Sequence, residues 1–219
     1  MTREAKPTML NIPSSAAESE TLSGSMCDAA LKKEPLLLHS CCGPCSTSVL
    51  ERLIEEFSVT VFYYNPNITD PEEYLLRKTV QKDFIKAYNA NNPLGAHINF
   101  IEGDYDTDSF YEVARGLESE PEGGLRCEQC FRLRLSRTAE KAAELGIQTF
   151  GTTLTVSPYK NYKLITKIGM ELAQQNGLSW LDRDFKKQAG YQRSIEMSKE
   201  YGLYRQHFCG CDFARDKEK

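Results

Sequence analysis

Seven of the eight cysteines in this chain fall into three groups. Cys41, Cys42 and Cys45 stand in "HSCCGPCS", Cys127 and Cys130 in "RCEQCF", and Cys209 and Cys211 in "FCGCD". A C-x-x-C pair places two thiolates on one turn, within reach of one metal ion or cluster, and a second pair from another segment completes four sulfur ligands. Tetrahedral zinc and a four-iron cluster accept the same spacing, so spacing alone does not separate them. The adjacent pair Cys41–Cys42 fits the knuckles of zinc sites poorly, which favours a working cluster. Cys209 and Cys211 flank a single glycine. A bond between them would close a very small, strained ring, and strained disulfides are oxidising and readily exchanged. That pair reads as a store of two electrons, with two further metal ligands as the alternative.

Two other chemistries compete. Cys42-Gly43-Pro44-Cys45 spells the C-G-P-C of the thioredoxin active site, also placed between a strand and a helix. Against a thiol–disulfide oxidoreductase, no Trp precedes the first cysteine, Cys41 is superfluous, and five further cysteines have no role. The blandest alternative is a set of buried, reduced cysteines with no ligand. A cytosolic chain keeps its thiols reduced, so clustering points to metal or redox work more than to structural disulfides. No stretch approaches the roughly 18 apolar residues of a membrane span, and the N-terminus lacks an apolar signal core, so a cytoplasmic address is expected.

The elements that must position these sulfurs follow from the patterning. "PLLLHS" (35–40) has the composition of a buried strand, and residues 44–57 then show apolar positions at helical spacing, which puts the first cysteine group on a strand-to-helix turn. Residues 58–68 form a second strand closed by Asn-Pro-Asn, and Asp70 with Pro71 opens a helix. A third strand is predicted over 97–104, a helix over 107–117, a helix over 127–146, a fourth strand over 147–155, and helices near 160–175 and 188–202. This alternation predicts an α/β fold, a mostly parallel sheet with helices on both faces, whose ligands bind beyond the carboxyl ends of the strands. Cys41, Cys42, Tyr64, Asn65 and Thr153 all fall at such ends. Cys127 and Cys130 begin a helix whose positive end favours thiolate.

The 219 residues fit one folded unit, expected over 31–213, with a flexible tail over 1–30 that carries an incidental Cys27 and a short tail over 214–219. The formal net charge of -4 averages an acidic stretch before residue 150 and a basic C-terminal third, compatible with a phosphate-bearing partner on one face.

The blocks "LLLHSCCGPCS", "FYYNPNI", "EGGLRCEQCFRLRL", "FGTTLTVSPYKN" and "DFKKQAGYQRSIEMSKEYGLYRQHFCGC" follow one another over residues 36–211 and closely resemble the epoxyqueuosine reductase QueH family. The resemblance implies a fold similar to adenine nucleotide alpha hydrolases. It implies cobalamin-independent reduction of epoxyqueuosine at the tRNA wobble position to queuosine, with electrons from an unidentified donor. It implies a [4Fe-4S] cluster on Cys41, Cys42, Cys127 and Cys130, and a redox-active disulfide at Cys209 and Cys211. A second iron beside the cluster is described in the family, and Cys45 is the candidate ligand here. Relatives on this fold that thiolate tRNA hold ATP pyrophosphate on a Gly-rich loop, and "HSCCGPCS" occupies that place, which disfavours ATP.

Polar residues near the strand ends could orient the base: Asn65, Asn67, Thr153, Ser157 and Lys160, although Asn-Pro-Asn is also ordinary turn chemistry. Asp184, Lys186, Lys187 and Arg193 could meet substrate or phosphates, or form a solvated face. Tyr159, Tyr162 and Tyr191 supply stacking surfaces in the basic third, or core packing.

Overall fold

The computed structural model describes residues 33–91 and 96–215. The expected N-terminal tail and Cys27 lie outside them. Five strands, β1 (Glu34–His39), β2 (Phe57–Tyr63), β3 (Asn99–Glu102), β4 (Thr149–Thr152) and β5 (Ser179–Trp180), form one sheet in the order β3-β2-β1-β4-β5. Every pairing is parallel. His39 at the end of β1 sits opposite Phe62 on β2 and Thr152 on β4, so three carboxyl ends open on one edge. The chain reverses its direction of winding between β1 and β4, the point where a crevice opens in such sheets.

The run of apolar residues in β1 buries both faces of the sheet, as a central parallel strand requires. Leu37 points with Phe62 and Phe150 to one side, where α4 (Leu125–Glu144) and α5 (Tyr162–Asn176) contribute Phe131, Leu135, Ile165 and Ile168. Leu36 and Leu38 point to the other side, against Val49 and Leu50 of α1 (Gly43–Leu53), Phe84 of α2 (Pro71–Asn91) and Met197 of α6 (Gly190–Glu200). Each such side chain, fully buried, contributes about 1.5–3 kcal/mol. α3 (Thr107–Ala114) joins the C-terminal α7 (Asp212–Arg215) in a smaller cluster that includes Cys130 and Cys211.

Three of the boundaries that differ from the sequence expectation bear on the site. β4 ends at Thr152, and Thr153–Val156 turns into a 3-10 helix because the Thr152 hydroxyl accepts from the Leu154 amide, 3.1 Å away. α4 begins at Leu125, so Cys127 lies inside its first turn. α7 continues past residue 213, and Ala214 is buried where a tail was expected.

Candidate functional site

The turn after β1 is tied from three sides. Ser40 Oγ donates to Gln81 Oε1 at 2.7 Å, Gln81 Nε2 donates to Ser46 Oγ at 2.8 Å, and Asn65 Nδ2 donates to the Ser40 carbonyl at 2.9 Å. Gly43 lets α1 approach α2 closely, since a Cβ there would stand 3.0 Å from Val80 Cγ1. Pro44, in the first turn of α1, needs no amide donor, and Cys42 caps the helix in extended backbone. The result is a sulfur nest. The Sγ atoms of Cys41, Cys42 and Cys45 all lie within 4.8 Å of one another and could hold a metal ion. Hydrogen bonds from the Cys42 and Cys45 thiols, aided by the charges of Lys160 and Arg134, hold the Cys41 thiol well below its ordinary range. Donation to Cys41 raises Cys42 to about 11 and holds Cys45 well above its ordinary range. One thiolate is thus shared by two S–H donors. Gln206 Nε2 also approaches Cys42 Sγ, at 2.8 Å.

Cys127 and Cys130 lie on the first turns of α4, where the Gly123 amide donates to Cys127 Sγ at 3.2 Å. The expected preference for thiolate at this helix end does not win. Burial raises both thiols.

Between the cysteine groups runs Arg134, buried and without a carboxylate in salt-bridge distance among the described residues. Its Nη2 donates to Asn65 Oδ1 at 3.0 Å, its Nη1 lies 3.8 Å from Cys130 Sγ, and its Nε donates to His39 Nε2 at 3.3 Å. The same Nε2 lies 3.1 Å from the Tyr64 carbonyl, and Nδ1 lies 2.9 Å from Thr152 Oγ1, so the ring is held from both nitrogens. Burial, then the Arg134 charge, lowers His39 to about 3 and keeps the ring neutral.

The third group arrives on the C-terminal segment. Cys209 Sγ and Cys211 Sγ are 3.3 Å apart across Gly210, whose φ of +107° suits only glycine and whose absent Cβ leaves room for Ile68 and Arg77. The hydrogen bond from the Cys211 thiol lowers Cys209 to about 6, with Lys160 assisting, while Cys211 is pushed up. Arg77, 1% exposed and ion-paired with Glu73 at 2.6 Å, donates to the carbonyls of Cys209 at 3.1 Å and Phe208 at 3.3 Å.

Two adjoining cavities open here. The larger, about 590 Å³, is lined by Cys41, Cys45 and Cys209 together with Arg134, Ser157 and Lys160. The smaller is lined by Cys127, Cys130, Cys209 and Cys211, and shares Arg134, Tyr159 and Lys160 with the first. Burial alone would lower the Lys160 ammonium, but the sulfurs of Cys41, Cys45 and Cys209 more than offset it and raise the group.

The remaining sequence candidates divide. Asn67 lines the smaller cavity, its Nδ2 donating to the Cys209 carbonyl at 3.3 Å and its Oδ1 without a partner. Thr153 is buried with an unpartnered hydroxyl. Asn65 is fully buried and occupied by Ser40 and Arg134. Arg193 is placed apart from both cavities, ion-paired with Glu51 at 2.7 Å and Glu200 at 2.8 Å. Sequence reasoning passed over His39, Arg77 and Arg134. The only available signals were the four-residue spacings of Arg134 from Cys130 and of Arg77 from Glu73.

A family model described as epoxyqueuosine reductase QueH matches residues 36–217. The chain belongs to the epoxyqueuosine reductase QueH family. It is 44% identical over 189 residues to the epoxyqueuosine reductase QueH of Staphylococcus epidermidis, covering 85% of this chain and 79% of that protein. It is 44% identical over 179 residues to the protein of that name in Streptococcus pyogenes, covering 82% and 69% of the two. The protein of that name in Thermotoga maritima is 32% identical over 182 residues, covering 82% and 89%. Among the described residues no helix is long and apolar enough to cross a membrane.

Proposed function

We propose that this chain is an epoxyqueuosine reductase that removes the epoxide oxygen of epoxyqueuosine carried in tRNA, working in the cytoplasm as a single α/β unit that runs from residue 31 through α7. One observation carries the reading beyond family membership. Cys41, Cys42 and Cys45 form one sulfur nest, Cys127, Cys130, Cys209 and Cys211 line the adjoining cavity, and the cations Arg134 and Lys160 line both cavities, neither with a carboxylate in salt-bridge distance among the described residues. Buried cations need anionic company. A [4Fe-4S] cluster held by Cys41, Cys42, Cys127 and Cys130 fits that need: its thiolate ligands are anionic, and Arg134 bridges the two ligand segments. Cys45, in the same sulfur nest, is the candidate ligand of one further iron. Bound there, such groups supply one-electron transfer and a Lewis acid. The strand order, with cysteines where a Gly-rich phosphate loop would stand, supports kinship with the adenine nucleotide alpha hydrolases.

The chain's own residues account for the rest. Converting an epoxide to an alkene breaks both carbon–oxygen bonds, consumes two electrons and two protons, and releases water. Above about pH 6 the pair of Cys209 and Cys211 holds both electrons and one proton, on Cys211; the second proton comes from solvent, and the pair ends as a disulfide. An external donor then restores the dithiol. Lys160 and Ser157, on the wall of the larger cavity, orient the substrate, and Asn67 offers an unpartnered oxygen on the wall of the smaller one.

The test is turnover. Anaerobically purified, cluster-replete protein is incubated with a low-potential reductant and tRNA from cells that accumulate epoxyqueuosine, and the nucleosides are resolved by mass spectrometry. Conversion to queuosine is expected, and its absence would overturn the proposal.

A further inference from the structure

The larger cavity fits a modified nucleoside and is far too small for an RNA loop, since pockets of about 300–1,000 Å³ enclose molecules of drug size. On the reading above, on which this inference rests, the wobble nucleotide must therefore leave its stack and reach the sulfurs alone, as bases do for enzymes that work on them. Its neighbours are left at the rim with an unstacked face and their phosphates.

Two features of the rim answer that need. One is Tyr159, 82% exposed, between β4 and α5 and lining both cavities. It is held there by a fixed turn: its amide donates to Ser157 Oγ at 3.3 Å and the next amide donates to the Ser157 carbonyl at 3.4 Å. Arg205, which also lines the larger cavity, lies over the ring of Tyr191, 5.4 Å from its centroid, with one further bond to Ser198 Oγ at 3.4 Å. Among the described residues Arg205 has no carboxylate in salt-bridge distance, unlike Arg193 on the same part of the chain. An exposed aromatic and a seated, unneutralised guanidinium lining one cavity is the composition that reads single-stranded RNA, by stacking and by phosphate contact.

We propose that this rim is a two-part clamp for the anticodon loop: Tyr159 stacks on the nucleotide next to the extruded one, and Arg205, on its Tyr191 seat, takes a backbone phosphate.

The two halves differ in their response to salt, which makes them separable. Affinity of the cluster-replete protein for epoxyqueuosine-containing tRNA is measured by fluorescence anisotropy from low to moderate salt, and conversion of the same tRNA is compared with that of the free nucleoside. Tyr159→Ala is expected to weaken tRNA binding about tenfold, within the range of a lost base stack, with an unchanged salt slope, and Tyr159→Phe to retain affinity within about twofold. Its KM penalty is about tenfold larger for tRNA than for the nucleoside. Arg205→Gln is expected to lower the slope of log Kd against log salt by about 0.7–1. Unchanged tRNA affinity in Tyr159→Ala, equal penalties on both substrates, or an unaltered salt slope in Arg205→Gln overturns the clamp. Failure of the wild type to convert either substrate would overturn the reductase reading instead, and the binding arm would still decide the clamp.

Discussion

The first proton of the Cys209–Cys211 pair leaves near pH 6, because the second thiol donates to the first sulfur. Below about 6 both are protonated, and above it Cys209 is a thiolate while Cys211 keeps its proton. Alkylation of Cys209 by iodoacetamide, followed by peptide mass spectrometry, should rise through pH 6 and level off by neutrality. A midpoint above about 8, the range of an unperturbed cysteine, would show that the pair is not arranged as described. The Cys209→Ser, Cys211→Ser double variant should lose multiple turnover with the usual reductant. Full multiple-turnover rate in that variant would remove the relay role. None of this acidity is legible in "FCGCD" alone, because it depends on the rotation of two side chains about Gly210 and on Lys160, 49 positions away in the chain.

At the scale of elements, helix α5 shows how local preference yields to packing. Its start is capped by Asn161, whose Oδ1 accepts from the Leu164 amide at 3.2 Å, so Asn161→Ala should cost about 0.5–2 kcal/mol in urea unfolding. Midway along it, Gly169 faces the Trp180 indole so closely that a Cβ would stand 2.3 Å from the ring. Alanine is the better helix former, yet Gly169→Ala should destabilise by about 1–3 kcal/mol, because β5 or the helix must shift. An equal or raised midpoint would mean that Trp180 swings aside freely. The partner in that contact is the strand that sequence patterning missed: Ser179–Trp180 is two residues long and shows no alternation to detect. The longer strands were legible because β1 and β2 carry runs of apolar and β-branched residues. The early end of β4 was not, because a side-chain bond from Thr152 redirects the chain against the preference of Thr-Leu-Thr-Val for extended backbone.

For the molecule as a whole, the sulfurs were legible and their cations were not. Cysteine spacing is a sequence property, whereas Arg134 and Arg77 look like ordinary charged positions on amphipathic helices until the sheet edge and the C-terminal segment close around them. Metal content tests the assembly directly. Protein purified without oxygen should be brown, absorb near about 400 nm and contain iron and sulfide, and serine at 41, 42, 127 or 130 should strip most of that iron while the far-ultraviolet dichroism persists. Stoichiometric zinc without iron would contradict the cluster. The order of synthesis adds a last consequence. The ribosome delivers residues 41–45 first and 127–130 next, and the wall carrying Cys209 and Cys211 only near the end of the described chain. Until Arg77 grips that wall through its two carbonyls, the bowl stands open to incoming inorganic cargo. Loading can therefore start on the earlier cysteines before that wall is in place, and once it is, the two cavities are what leads to the sulfurs.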